Sequence, residues 1–173
     1  MTENKKRNKY FNLILAAIFA ALTVVTTMIH IPVPLFTNEG YLHFGDAVIY
    51  LAASILPTGY ACAAAAVGGG MADLFSQAAL WAPATIIIKA LLALTFTSKK
   101  DRFICKRNII ALVICCFITI AGYYAAEAVI YGNWATPVIA IAGNSIQAVG
   151  SAAIYLIVAT ALDKIKLKNK IAR

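Results

Sequence analysis

Fourteen of the fifteen Lys and Arg residues in this chain sit in three short segments, and the fifteenth, Lys89, stands alone inside an apolar run. The segments are Lys5, Lys6, Arg7 and Lys9 near the N-terminus, Lys99, Lys100, Arg102, Lys106 and Arg107 in the centre, and Lys164, Lys166, Lys168, Lys170 and Arg173 near the C-terminus. Between them the chain is almost wholly hydrophobic. Of the 173 residues 62% are hydrophobic, and the mean hydropathy is +0.81. A water-soluble domain of this size cannot hide that much apolar surface, so the composition points to an integral membrane protein. A net charge of +8 can signal nucleic acid. Here the basic residues flank apolar spans, which is the positive-inside pattern, and nucleic acid is not an expected partner.

About 20 apolar residues are needed to cross a bilayer as a helix. The runs predict six helices, near residues 10–29, 46–56, 60–76, 84–97, 109–130 and 137–162. Breakers separate them. Pro32 and Pro34 end the first run, and Pro57-Thr58-Gly59 divides the second from the third. Pro83 and Pro137 each suit the first turn of a helix, and Gly132-Asn133 ends the fifth run. The first run follows basic residues as a signal peptide would. It has no A-x-A before its end, so it is read as a retained helix. The expected class is therefore an all-α membrane bundle of six transmembrane helices in a single domain, residues 1–173.

Charge then sets the orientation. With the N-terminus in the cytoplasm, six crossings place the basic tail 1–9, the basic loop 98–108 and the basic tail 163–173 on the same side. Both termini are then cytoplasmic. The outer loops, 30–45, 77–83 and 131–136, carry no Lys or Arg but do carry Phe36, Tyr41, His43, Phe44, Trp81, Tyr131 and Trp134. An interfacial aromatic belt accounts for part of this. The 30–45 loop is long for a connector and is expected to act as a lid over an outward-facing pocket.

Ionisable residues inside apolar runs are expensive and usually face a cavity or a partner. Asp46, Asp73, Lys89 and Glu127 are such residues, and Asn144 and Gln147 add polar amides at similar depth near the outer leaflet. Structural alternatives stand beside each. Asp46 could cap the second helix, Lys89 could pair with Asp73 or Glu127, and the two amides could bond between helices. Acids, one Lys, amides and aromatics suit a small, flat, hydrogen-bonding heterocycle. Trp81, Tyr41, Trp134 or Tyr124 would stack on its ring, while Asp73, Lys89 and Asn144 would meet its polar edges. His43 is read as an interface residue rather than a metal ligand. Cys62, Cys105, Cys115 and Cys116 form no C-x-x-C pair, so neither a metal nor a cofactor is expected.

Small residues mark two seams. Ala64, Gly68 and Ala72 share one face of the third helix, next to the run Gly68-Gly69-Gly70. Ala16 with Ala20, and Ala17 with Ala21, form A-x-x-x-A pairs on the first. The glycine run is not a phosphate loop, because no Lys-Ser/Thr follows it.

Taken in order, Gly45-Asp46, then Gly68-Gly69-Gly70-Met71-Ala72-Asp73-Leu74, then Trp81-Ala82-Pro83-Ala84-Thr85 with Lys89, and finally Gly143-Asn144-x-x-Gln147, resemble the substrate-binding S component of energy-coupling factor (ECF) vitamin transporters. The resemblance covers nearly the whole chain. It implies one vitamin or precursor bound at the outer side beneath the lid, with no ATPase in this chain. It also implies docking on a membrane coupling protein, the T component, which is joined to two cytoplasmic ATPases. Ala16, Ala17, Ala20 and Ala21 would form the docking face. Asp46, Asp73, Lys89, Asn144 and Gln147 would line or support the pocket, and His43 belongs to the same outer group. Glu127 joins them on burial alone. Within the family the nearest likeness is to the group handling pyrimidine and pyridine precursors: hydroxymethylpyrimidine, vitamin B6 or a queuosine precursor. The competing reading is a stand-alone proton-coupled carrier, which internal inverted repeats would favour; none is visible. An enzyme would need a nucleophile beside a base, and Ser76 near Asp73 has no His at its depth.

Overall fold

The computed structural model describes residues 2–32 and 41–171, with side chains for residues 9–29 and 43–170. In chain order the elements are α1 (Thr2–Met28), β1 (His30–Pro32), β2 (Tyr41–His43), α2 (Gly45–Ile55), α3 (Thr58–Phe75), α4 (Ala82–Thr95), α5 (Lys106–Tyr131), a 3-10 turn (Thr136–Val138), α6 (Ala140–Lys164) and α7 (Leu167–Ile171). The six apolar runs coincide with α1 to α6. Two breakers act as expected: Pro83 sits in the first turn of α4, and Gly132 closes α5 in the left-handed conformation with φ 62°; Pro137 instead sits in the 3-10 turn that precedes α6. Two elements were not anticipated. The lid segment folds back as an antiparallel pair, with His30 opposite His43 and Pro32 opposite Tyr41, and the basic C-terminal segment forms the short helix α7. Residues 33–40, including Phe36, lie outside the described residues.

The helices are not equal crossers. Residues 9–28, α5 and the segment from Thr136 to Lys164 are long and apolar enough to span a bilayer alone. With 11 and 14 residues, α2 and α4 reach only about 16 and 21 Å at 1.5 Å per residue, short of a core of about 30 Å. The expectation of six full spans is thus supported by length for three. The short helices are accommodated by position. α2 packs against α1, α3, α4 and α6, and eight of its residues are buried. A helix apolar on every side belongs inside a bundle. The long helices show the inverse pattern: Phe117 is 70%, Val129 74% and Ile157 71% exposed. Side chains of this kind are stable on an outer surface only when that surface meets lipid.

The glycine run sets how close three helices come. A Cβ on Gly68 would lie 2.8 Å from Cβ of Thr23 and 2.9 Å from the Ala20 carbonyl, so Gly68 lets α3 approach α1. A Cβ on Gly69 would lie 2.7 Å from Cγ of Lys89, and one on Gly70 2.6 Å from Ile86, so these two admit α4. Ala64 and Ala72 are buried on the same helix, in line with the expected seam.

The end of the bundle opposite the β1–β2 hairpin, labelled inner for reference, is closed by a hydrogen-bond network of mostly neutral side chains, joined by the Asp163 carboxylate and the Lys168 ammonium. Asn108 is fully buried. Its amide donates to the carbonyl of Phe103 at 2.9 Å and of Thr97 at 3.3 Å, and its oxygen accepts from the Thr97 N–H at 2.9 Å. The Tyr155 hydroxyl reaches the Phe103 carbonyl at 3.0 Å and Ser54 at 2.9 Å. The Asp163 carboxylate accepts from the backbone N–H groups of Phe103 and Ile104 at 2.8 and 3.0 Å. Lys168 of α7 donates to the carbonyls of Lys100 and Arg102 and lies 4.9 Å over the Phe103 ring; burial pulls its ammonium below the ordinary lysine range. These bonds satisfy the irregular backbone of the 96–105 connection where water is scarce.

Candidate functional site

Four helices bring ionisable side chains together in the half of the bundle that carries the β1–β2 hairpin, labelled outer for reference. Asp46 lies in the first turn of α2 and is 0% exposed. It makes no cap bond; its carboxylate instead pairs with Lys89 of α4, Nζ to Oδ1 at 2.5 Å. The partner of Lys89 is therefore Asp46 rather than Asp73 or Glu127. The Lys89 ammonium also stands 5.3 Å above the Tyr123 ring of α5, and the Tyr123 hydroxyl is 3.2 Å from Thr85. Thr85 and Lys89 flank Asp73 of α3. A glycine at 69 is what leaves room for the Lys89 stem against α3.

The β1–β2 hairpin is fastened to this layer by Gln147 of α6. Its amide oxygen accepts from the His43 N–H at 2.9 Å, and its nitrogen donates to the His43 carbonyl at 3.0 Å and to Ser151 at 3.0 Å. One side chain thus imitates a strand edge for β2. The Gly45 N–H lies 3.2 Å from Nδ1 of His43, which assigns Nδ1 as acceptor and the proton to Nε2. A Cβ on Gly45 would fall 2.1 Å from the Thr27 hydroxyl, so glycine alone permits this approach of α2 to α1.

The remaining expected residues divide. Trp81, at the start of α4, is half-buried and lies 6.5 Å from the Tyr123 ring and 6.4 Å from that of Tyr131. Tyr124, expected with Trp81, Tyr41 and Trp134 to stack on a solute ring, has its hydroxyl donating to the Trp134 carbonyl at 2.7 Å, and Trp134 is 63% exposed. Its neighbour Tyr123 holds the position beside Lys89. Glu127 is buried one turn outward of Tyr123 on α5. Asn144 is half-buried on α6, three residues before Gln147. The backbone of Tyr41 pairs with Pro32 in the hairpin, but its side chain lies outside the described residues. On α1, Ala16 is buried and the Ala20 backbone meets Gly68, while Ala17 and Ala21 are exposed. Thr85, Tyr123 and Ser151 were not singled out for the site. Thr85 and Lys89 are four apart, as are Tyr123 and Glu127 and also Gln147 and Ser151, and that helical spacing was the available signal.

Two features of the electrostatics bear on chemistry. Oδ2 of Asp46 and Oδ2 of Asp73 are buried and have no hydrogen-bond partner among the described residues. Lys89 gives one of its three ammonium N–H groups to Asp46, and the Gln147 amide bonds His43 and Ser151. The site thus offers acceptors on the two carboxylates and donor capacity on Lys89. No group of three or more metal-binding side chains occurs among the described residues, and no nucleophile–base pair is assembled there.

A lipid-facing helical bundle with a buried polar site under an outer hairpin defines a membrane protein that handles a solute. Residues 7–164 match the family described as ECF-type riboflavin transporter, S component, and the chain belongs to that family. It is a multi-pass membrane protein of a transport system, a substrate-binding component and not an enzyme. A solved structure of the S component of a bacterial ECF transporter has the same fold, with a TM-score of 0.73 at 22% identity over 91% of this chain and 98% of that one. An uncharacterised protein of Pyrococcus woesei is 30% identical over 115 residues, 65% of this chain and 74% of its own length.

Proposed function

We propose that this chain captures a flat heterocycle bearing hydrogen-bond donors at the outer face of the membrane and delivers it inward by docking on a coupling protein powered by two ATPases. The observation that carries this is the pair of buried carboxylate oxygens of Asp46 and Asp73, unpartnered among the described residues, beside the aromatic rings of Trp81 and Tyr123. A buried acceptor without a partner costs about 1–3 kcal/mol, and a solute N–H or O–H would recover that. Riboflavin, named in the family's description, is the first candidate. Hydroxymethylpyrimidine, vitamin B6 and a queuosine precursor present the same ring-and-donor chemistry and follow it. The lid hairpin held by Gln147 would close over the solute, with both termini and the basic connection 98–108 on the cytoplasmic side. Asp46, Asp73 and Lys89 would form the polar contacts, with Trp81 stacking.

Mass spectrometry of small molecules released from the purified protein tests the reading directly. A heterocycle from this set is the expected result, and a protein that neither carries nor takes up any of them would remove it. Docking is proposed on the exposed face of α1 at Ala17 and Ala21, where small side chains leave a smooth surface for another helix. Ala17→Trp with Ala21→Trp is expected to leave solute binding intact and to abolish most ATP-dependent uptake; normal uptake in cells would rule that face out.

A further inference from the structure

Thr119 is the one helical hydroxyl, among the described residues, that is both fully buried and without a partner. The contrast with hydroxyls in the other helices is direct. Thr23 donates to the Phe19 carbonyl at 2.8 Å, Thr26 to Leu22 at 2.6 Å, Ser54 to Tyr50 at 2.8 Å, Ser145 to Ile141 at 2.7 Å and Thr160 to Leu156 at 2.6 Å. Each returns its proton to the carbonyl four residues earlier, the ordinary solution for a hydroxyl inside an apolar helix. Thr119 does not take it.

Its surroundings can be read from its neighbours. Cys115, Thr119 and Tyr123 are spaced by four on α5 and share one face. On the inner side Cys115 touches α4, with Sγ 3.3 Å from the Thr95 hydroxyl. On the outer side Tyr123 touches α4 through Thr85 and lies under Lys89. A Cβ on Gly122 would lie 2.9 Å from Ile88, so the two helices run close at this level. Thr119 therefore faces α4 about 6 Å, one helical turn, below the Tyr123 layer. The Tyr123 ring one turn above it is the one that the Lys89 ammonium of the ion pair covers, and Oδ2 of Asp46 in that pair also has no partner among the described residues.

Resting on the reading of the site given above, we propose that Thr119 is a solute-contacting residue at the floor of the pocket. Its hydroxyl bonds the innermost polar group of the solute, while Asp46 Oδ2 accepts a proton donor from the same molecule. The class of solute follows from the two atoms. A carboxylate oxygen only accepts, whereas a hydroxyl both donates and accepts. The inward end must carry an N–H or O–H donor and at least one further polar atom; a purely apolar leading edge would leave both protein groups unmet.

The test uses the full-length protein in detergent, with riboflavin titrated by quenching of its own fluorescence, or with the solute released from the purified protein if riboflavin does not bind. Thr119→Val keeps the shape and removes the hydroxyl; Thr119→Ser keeps the hydroxyl. The valine variant is expected to bind roughly tenfold more weakly and the serine variant within about twofold of the parent, the size of one buried hydrogen bond. Without solute, the valine variant is expected to unfold at the same temperature as the parent or higher, since no internal bond is lost. Parental affinity in Thr119→Val, or a lowered unfolding temperature without solute, overturns the assignment. Asp73→Asn run alongside separates the two levels. If both variants bind like the parent, the site itself is misread; if only Thr119→Val does, the pocket stands and its floor lies elsewhere.

Discussion

The two ends of this bundle treat buried polarity in opposite ways. At the inner end, Asn108, Tyr155, Ser54 and Asp163 find their partners within the chain, and the irregular backbone from Thr97 to Ile104 is held by their side chains. At the outer end, Asp46 and Asp73 each keep one oxygen without a partner among the described residues. The inner groups are mostly neutral; the outer group is built on an ion pair. A closed network lowers the free energy of one packing, whereas an open one leaves capacity for something that arrives later. The inner end therefore reads as structure and the outer end as a site.

The contrast can be tested by substitutions that should behave differently at the two ends. The largest effect is expected from Lys89→Met. It strands the fully buried Asp46 carboxylate, and breaking such a pair from one side typically costs about 3–5 kcal/mol. Thermal unfolding in detergent should show the drop, and Asp46→Leu combined with Lys89→Met should recover much of it without restoring solute binding. A double variant that binds normally would show that the pair is structural only. Next comes Asn108→Ala, which leaves several inner carbonyls and N–H groups unmet and should cost about 3 kcal/mol. Solute affinity of the folded fraction should be unchanged; a selective loss of binding would erase the distinction between the ends.

Asp73→Asn is the sharper probe. Stability should hold within about 0.5 kcal/mol, the range of substitutions that break no internal contact, while solute affinity falls roughly tenfold, equal to about 1.4 kcal/mol. An unfolding temperature well below the parent would place Asp73 with the structural groups. Gln147→Ala tests the hairpin. It removes the two bonds to the hairpin backbone, worth about 1 kcal/mol each, and should speed solute release more than it slows capture. Stopped-flow dissociation measures this; an unchanged off-rate would mean that the hairpin does not hold the solute in.

Much of the fold was written in patterns that need no partner. Apolar runs gave the six helices, and Pro57, Pro83 and Gly132 gave their ends, because backbone geometry and the cost of exposing peptide groups to lipid act locally. The site was legible only as a depth. Asp46, Asp73, Lys89 and Gln147 could be placed at one level along their helices. Which of them meet depends on helix rotation and tilt, which packing decides. Hence Lys89 was given the wrong partners, and Tyr124 was preferred to Tyr123, one residue and about 100° away around the same helix. The inner network escaped notice because Asn108 and Ser54 look like any polar residue near a helix end. Their importance arises from elements more than 40 residues apart in the chain, as in the 54–155 and 54–108 contacts.

By itself the sequence determined the environment, the number of apolar helices and the level at which charge enters the membrane, since each follows from solvation of local segments. Tertiary structure alone decided that Asp46 pairs with Lys89, that Gly69 makes room for the lysine stem, and that Thr119 is left without a partner among the described residues. These depend on how helices face one another across the bundle. That is a property of shape fitting between distant segments, and no single segment carries it.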